Sequence, residues 1–162
     1  MLIDEYQQQG HDFATRLDGA IRSLFEQGYA QVITIGNDCP DLSVWHIRQA
    51  ISQLAQQDVV LGPATDGGFY LMGFRRKAYE QLALRSLPWQ QTTLQSALYE
   101  ALHLHDLRYE VLPSLADTDD YTALKAYCKS QRSALSAQLA SLLQEQPSYQ
   151  LTPTNQYSYL LT

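Results

Sequence analysis

The sequence is poor in most of the residues that announce specialised chemistry. Its 162 residues include only 2 cysteines, Cys39 and Cys128. Two thiols cannot build a disulfide framework, and a reducing, cytoplasmic setting is the simpler expectation. There is no Cys-x-x-Cys pair, and the 4 histidines do not cluster: His103 and His105 are near neighbours, His11 and His46 isolated. A zinc site is therefore not expected. Basic residues are scarce too, with Lys+Arg 11 against Asp+Glu 17, a formal net charge of -6 and a sequence pI of about 5.0. Such a charge repels nucleic acids and anionic membrane faces, so no nucleic-acid partner is expected, although a bound metal would still let the chain take a nucleotide. No apolar run approaches the roughly 20 residues of a membrane helix, and no membrane span is expected. The opening MLIDEYQQQG has no basic region followed by an apolar stretch, so no secretory leader is expected either. Walker loops, Gly-x-Gly-x-x-Gly fingerprints and Gly-x-Ser-x-Gly elbows are all missing. No internal repeat occurs, and low complexity is confined to glutamine-rich patches.

What remains suffices for a packed core: 45% of the residues are apolar and 17% charged. The length suits one domain, read as residues 1–146, with 147–162 a polar, tyrosine-bearing tail. Phe13, Leu17, Ile21, Leu24 and Phe25 recur at helical spacing, with Asp12 as N-cap and Gly28 as a stop. Val32-Ile33-Thr34-Ile35 is short and β-branched, the pattern of a strand buried on both faces. A second helix carries Val44, Ile47, Ile51 and Leu54 on one face. Strands follow at 58–62 and 69–74, then a weak helix near Tyr79, a Pro88-Trp89 turn, a helix marked by Leu94, Leu98, Ala101 and Leu102, and a final strand at 107–111. Helical spacing resumes from Tyr121 and Leu124 to Leu142. Alternation of strands with helices predicts an α/β layered domain with a mostly parallel sheet and helices on both faces. Ligands in such sheets sit at the carboxyl ends of the strands.

Three acidic loops fall at those ends. Gly36-Asn37-Asp38-Cys39-Pro40-Asp41 follows the first strand. A carboxylate there can hold a hard cation such as Mg²⁺, or merely cap the next helix, the simpler role for Asp41. Cys39 reads as a small packed residue. Gly62-Pro63-Ala64-Thr65-Asp66-Gly67-Gly68 brings a backbone able to approach a ligand closely, yet Asp-Gly is also an ordinary hairpin turn. In Asp117-Thr118-Asp119-Asp120 the first and third residues point the same way in an extended segment. Two such carboxylates repel unless a cation lies between them, although a helix N-terminus also favours acids.

The strings QGYAQVITIGNDCPDLS, QDVVLGPATDGGFYLMGF, LPWQQTTL and LPSLADTDDYTAL, in this order, resemble the bacterial domain of unknown function 2064 family. That family is also described as a transferase-1 family with a glycosyltransferase-A-type, or nucleotide-diphospho-sugar transferase, fold. The resemblance runs from about Gln9 to Leu124. Within the loops, Asn37 stands where the family has serine, Phe69 where it has tyrosine, and Thr118-Asp119-Asp120 where it has valine-aspartate-threonine. The resemblance implies that Asp38, Asp117 and Asp119 bind Mg²⁺ or Mn²⁺ and that Asp38 and Asp66 are the catalytic residues. It places Asp66, Gly67, Gly68 and Trp89 on the acceptor side. The implied chemistry is displacement at phosphorus or at an anomeric carbon, with the cation neutralising the leaving phosphate.

Family members carry a further βαβ stretch before this start, with a glycine-x-x-lysine-threonine-arginine-leucine segment that holds nucleotide phosphates. Arg16 and Arg22 lie on a helix and do not replace it. The expectation is thus a metal-dependent transferase-type domain for a nucleotide-activated substrate, a nucleotide sugar first, with weak metal binding in the absence of nucleotide. A nucleotidyltransferase homologue, or a non-catalytic, partner-dependent fragment, is the alternative. Without the earlier strands, Val32–Ile35 is expected to show a bare apolar edge, a hazard that proteins cover. A homodimer through that edge is the first expectation, and a terminus folding over it the second.

Overall fold

The computed structural model describes residues 9–36, 38–116, 118 and 159–161. The chain forms α1 (Phe13–Glu26), β1 (Gln31–Ile35), α2 (Val44–Leu54), β2 (Val59–Pro63), β3 (Phe69–Arg75), α3 (Arg76–Gln81), a 3-10 turn at Leu84–Ser86, α4 (Leu94–Leu104), β4 (Tyr109–Val111) and β5 (Tyr159–Leu161). The expected start of α1 holds in detail: the Asp12 carboxylate accepts from the Thr15 N–H at 2.7 Å, satisfying one of the donors a helix leaves open.

The strands join one 5-stranded sheet in the order β4-β2-β3-β1-β5. Its direction departs from the mostly parallel expectation. β1 runs antiparallel to β3 and β5, and β2 antiparallel to β3, while β2 and β4 are parallel. The cause is the short 64–68 connection. A few residues can join only antiparallel neighbours, so β3 turns straight back and inserts between β1 and β2. The turn reading of Asp66-Gly67 was therefore correct for backbone direction. β1, β2 and β4 still point the same way, and their carboxyl ends share one end of the sheet.

Helices cover both faces. Leu17, Ile21, Leu24 and Phe25 of α1 pack with Val32, Val59, Leu61, Met72 and Phe74, together with α3 and α4. On the other face Ala50 and Leu54 of α2 meet Ile33, Val60, Leu71 and the buried Cys39. The stripe expected on α2 is turned: Val44 is 62% and Ile51 53% exposed, while Ala50 and Leu54 are fully buried. Gly73 sets this geometry, because Leu54 Cδ1 lies 2.9 Å from where a β-carbon at 73 would stand. The helix therefore seats its C-terminal half in a hollow only glycine provides. α3 is held to α1 by the buried Asp18, which accepts from Tyr79 Oη at 2.7 Å and from Arg22 at 3.0 Å.

The edge of β1 is not bare. Ile33, Thr34 and Ile35 pair with Leu161, Leu160 and Tyr159. The chain's own C-terminal residues cover the edge, so the homodimer expected through Val32–Ile35 loses the open strand it needed. The tail pairing was the second expectation, and a three-residue strand is too short to leave a pattern. β4 is accordingly not the last strand. Among the described residues, no helix is long and apolar enough to cross a membrane.

Asp58 stitches the opposite end of the sheet. Its Oδ2 accepts from the Arg108 N–H at 3.1 Å and Nε at 3.2 Å, and its carbonyl accepts from Arg75 N. Partial burial disfavours its charge, but the two Arg108 hydrogen bonds outweigh this and hold the carboxyl below its ordinary 3.8. A depressed carboxylate contributes stability that is full above the unfolded value and is lost as pH falls through the folded one. Asp58→Asn is thus expected to lower Tm at pH 7, with the gap to wild type closing below about pH 4. Melting curves across pH 3–7 check this; a gap that is independent of pH would show that charge plays no part.

Candidate functional site

The first two acidic loops, and Thr118 of the third, lie at the shared carboxyl end of β1, β2 and β4, and backbone hydrogen bonds join them. The 112–115 run continues along β2: Leu112 N donates to Leu61 O, Leu115 N to Pro63 O, and Thr65 N to Leu115 O at 3.0 Å. Thr118 reaches the first loop and donates twice to the Asp38 carbonyl, from its N–H at 2.9 Å and from Oγ1 at 3.0 Å. In sequence Thr118 lies between two of the aspartates singled out above. Asp117 and Asp119 themselves lie outside the described residues. Among the described residues, no three His, Cys, Asp or Glu side chains gather as a cation site.

Asp38 is partly buried. Its carboxylate folds back over Gly36: Oδ1 stands 2.8 Å from where a β-carbon at 36 would be. Any side chain there would displace the carboxylate. Gly36 N donates to Tyr70 O at 2.8 Å, which fixes the first loop against the start of β3. Tyr70 is 1% exposed. Its ring lies directly over Gly62, and its hydroxyl donates to Pro113 O at 2.9 Å. One side chain thereby braces the ends of β2 and β3 and the run into the third loop. Burial, with a smaller contribution from Cys39, pushes the Tyr70 phenol up to about 12, so it stays a donor at ordinary pH.

The second loop is a tight turn. Gly68 N donates to Asp66 Oδ1 at 2.7 Å, Ala64 N to Gly68 O at 2.9 Å and Gly67 N to Ala64 O at 3.3 Å. Gly67 has φ +100°, and a β-carbon on it would stand 3.3 Å from the Thr92 backbone, so glycine is required for both conformation and space. Asp66 is exposed, with Oδ1 committed to its own turn. Trp89 sits just before this contact. Its indole N–H donates to Leu84 O at 2.7 Å and its ring meets Phe13 edge-on at 5.2 Å. Trp89 thus fastens α1 to the 84–92 run that backs the second loop.

Three contributors were not found by sequence reasoning. Gln95, on α4, donates its amide N–H groups to Ala64 O at 3.0 Å and Gly68 O at 2.8 Å, clamping both ends of the second loop. Thr118 and Tyr70 join separate loops. Each acts through a contact far away in sequence, which local patterns do not report. Gln95 left no signal of its own, being one of several polar residues on α4 beside Ser96, Glu100 and His103.

The family profile described as an uncharacterized protein conserved in bacteria (DUF2064) matches residues 3–91. The match takes in the first two loops and Trp89 and ends before the third. Among solved structures, a protein from Desulfovibrio desulfuricans G20, provisionally described as a nucleotide-diphospho-sugar transferase, is similar to this chain with a TM-score of 0.71 and 28% sequence identity. The likeness covers 85% of this chain and 61% of that one, so this chain spans less than two thirds of that neighbour's length. The fold is of the nucleotide-diphospho-sugar transferase type. No curated protein matches the sequence.

Proposed function

We infer that this chain, which belongs to the DUF2064 family, acts as a metal-dependent transferase domain on a nucleotide-activated sugar. The observation that carries the reading is the double hydrogen bond from Thr118 to the Asp38 carbonyl. It supports a cation site shared between the first and third loops, with Asp38, Asp117 and Asp119 as ligands. The donor chemistry fits Mg²⁺ or Mn²⁺, hard ions that take carboxylate oxygens and complete their shell with substrate phosphates and water. Such an ion, when bound, neutralises the charge that develops on a leaving diphosphate.

The chain's own residues supply position. Gly36 leaves room for the Asp38 carboxylate beside the strand end, and Tyr70 keeps the surrounding backbone fixed. Asp66 is held by Gly68 N–H through Oδ1, which leaves Oδ2 to accept from an acceptor hydroxyl. Gly67 and Gly68 let that acceptor approach the backbone. Trp89 supports the same wall from behind, with its indole N–H already used internally.

Thermal-shift titration tests this with UDP-, GDP-, CDP- and ADP-sugars and the nucleoside triphosphates, each with and without Mn²⁺. A ligand at about 100 times its Kd adds roughly 2.7 kcal/mol, which for a chain of this size raises Tm by about 5–10 °C. The expected result is such a rise for a sugar nucleotide only when Mn²⁺ is present. Mn²⁺ alone is expected to bind more weakly than micromolar. A rise with triphosphates and none with sugar nucleotides would redirect the reading to nucleotidyl transfer. No rise with any of them would overturn it.

A further inference from the structure

The two sides of the sheet are protected in different ways. On one side the edge is β4, which is three residues long, carries Glu110 and follows Arg108. Short, charged edges resist pairing with other chains. On the other side β1 would be the edge but for β5. β1 (Gln31–Ile35) has five residues, none of them charged and none proline, and Val32, Ile33 and Thr34 are buried. Nothing in its own sequence blunts that edge. β5 alone does so, and only in part. It pairs with Ile33, Thr34 and Ile35, which leaves Gln31 and Val32 without a partner strand on that side among the described residues. Three residue pairs make a weak ladder. β5 competes for the edge because it belongs to the same chain, and a tether gives it an effective concentration that a separate strand lacks.

We propose that β5 is a latch over a self-complementary interface, and that β1 pairs antiparallel with β1 of a second copy when β5 is released. Centred on Ile33, such a pairing sets Gln31 opposite Ile35, Val32 opposite Thr34, and Ile33 opposite its own copy. A two-fold axis perpendicular to the sheet produces this register, and closes the assembly at two chains. The same axis keeps each face of the sheet on its own side. Val32 packs in the cluster under α1 and Ile33 in the cluster under α2, as alternation along a strand requires. Val32 and Thr34 therefore meet on the α1 face and the two Ile33 side chains on the α2 face, as β-branched cross-strand pairs. All five residues of β1 gain partners, against three in the latched chain. Ile35 runs directly into Gly36, whose N–H is fixed to Tyr70 O, so latch and dimer both end at the root of the Asp38 loop. The latch does not depend on the transferase reading.

The test compares the wild type with the double variant Leu160→Pro/Leu161→Pro in the full chain. Successive residues of a paired strand point their N–H groups alternately toward and away from the partner, so one of the two prolines removes a ladder donor whichever alternation holds. By light scattering the wild type is expected to remain a monomer from about 1 to 100 µM, whereas the apparent mass of the variant is expected to double over that range, as for a micromolar interface. The free peptide QYSYLLT, residues 156–162, added at roughly millimolar concentration to replace the lost tether, is expected to return the variant to monomer. Circular dichroism melting checks that the variant folds. Amide exchange on the wild type gives a readout that needs no substitution. The β1 N–H groups on the β5 side are expected to exchange at least about ten-fold faster than those on the β3 side, because a latch opens without the sheet; where the prolines prevent folding, this contrast decides. A variant that stays monomeric throughout, association that grows past the dimer, a dimer indifferent to the peptide, a wild type already dimeric, or equal exchange on the two sides of β1 would each overturn the proposal.

Discussion

Gly62→Ala is expected to lower Tm by roughly 6–12 °C. The added β-carbon would meet Tyr70 Cζ at 2.4 Å, Cε2 at 2.6 Å and Cε1 at 2.9 Å. These distances lie well inside van der Waals contact, so the ring must move. It has little room, because Tyr70 is 1% exposed, its hydroxyl is tied to Pro113 O and its ring faces His46. Overpacking a filled core costs about 1–3 kcal/mol, and losing the Tyr70 hydrogen bond adds about 1. A total near 3 kcal/mol, at about 2–4 °C per kcal/mol for this chain length, gives the stated range. Tyr70→Phe is the companion: it keeps the ring, drops only the hydroxyl, and is expected to cost about 1 kcal/mol. Calorimetry on the two variants checks both values. An unchanged Tm for Gly62→Ala would mean that Tyr70 does not lie over Gly62.

That pair shows where sequence reading stops. Features set by neighbouring residues were legible: the Asp12 cap and the span of α1, the β-branched run of β1, the Asp66-Gly67 turn, and the placement of acidic loops after strands. Features set by distant partners were not. Nothing local tells Gly62 that a tyrosine will cover it, or Gln95 that two carbonyls of the second loop need its amide. The α2 stripe was misread for the same reason. Val44, Ile47, Ile51 and Leu54 have helical spacing, but Gly73 decides which side of the helix approaches the sheet. Strand–helix alternation alone points to a parallel sheet, but the short 64–68 connection makes β3 antiparallel to β2. β5 escaped because three residues carry too little pattern to compete with the polar stretch around them. The candidate site was legible as a set of loops. Its bracing by Tyr70, Thr118 and Gln95 was not.

Asp38→Asn is expected to weaken Mn²⁺-dependent binding of a sugar nucleotide by at least about 100-fold, close to 2.7 kcal/mol, while leaving the fold intact. The two parts of this expectation come from different atoms of the same residue. Thr118 binds the backbone carbonyl of Asp38, and the substitution leaves that carbonyl in place, so the first and third loops stay joined. Asparagine also matches aspartate in size, so the position over Gly36 is kept. What disappears is one negative charge and one anionic oxygen, and hard divalent ions depend on both. The sign of the stability change without ligand separates a cation site from a structural acid. If Asp38 shares a site with Asp117 and Asp119, removing its charge relieves repulsion among like carboxylates, and Tm without metal should be unchanged or slightly higher. If Asp38 serves only the local backbone, the same substitution should lower Tm without metal and leave ligand binding as it was. Asp119→Asn should repeat the first pattern, whereas Asp41→Asn, outside the proposed ligand set, should leave the Mn²⁺-dependent shift in place; the capping role expected of Asp41 belongs to Ser43, the N-cap of α2. Thermal-shift curves with and without Mn²⁺ and sugar nucleotide, run on the wild type and these variants together, read all of these outcomes. A full metal-dependent shift surviving Asp38→Asn would remove Asp38 from the cation site.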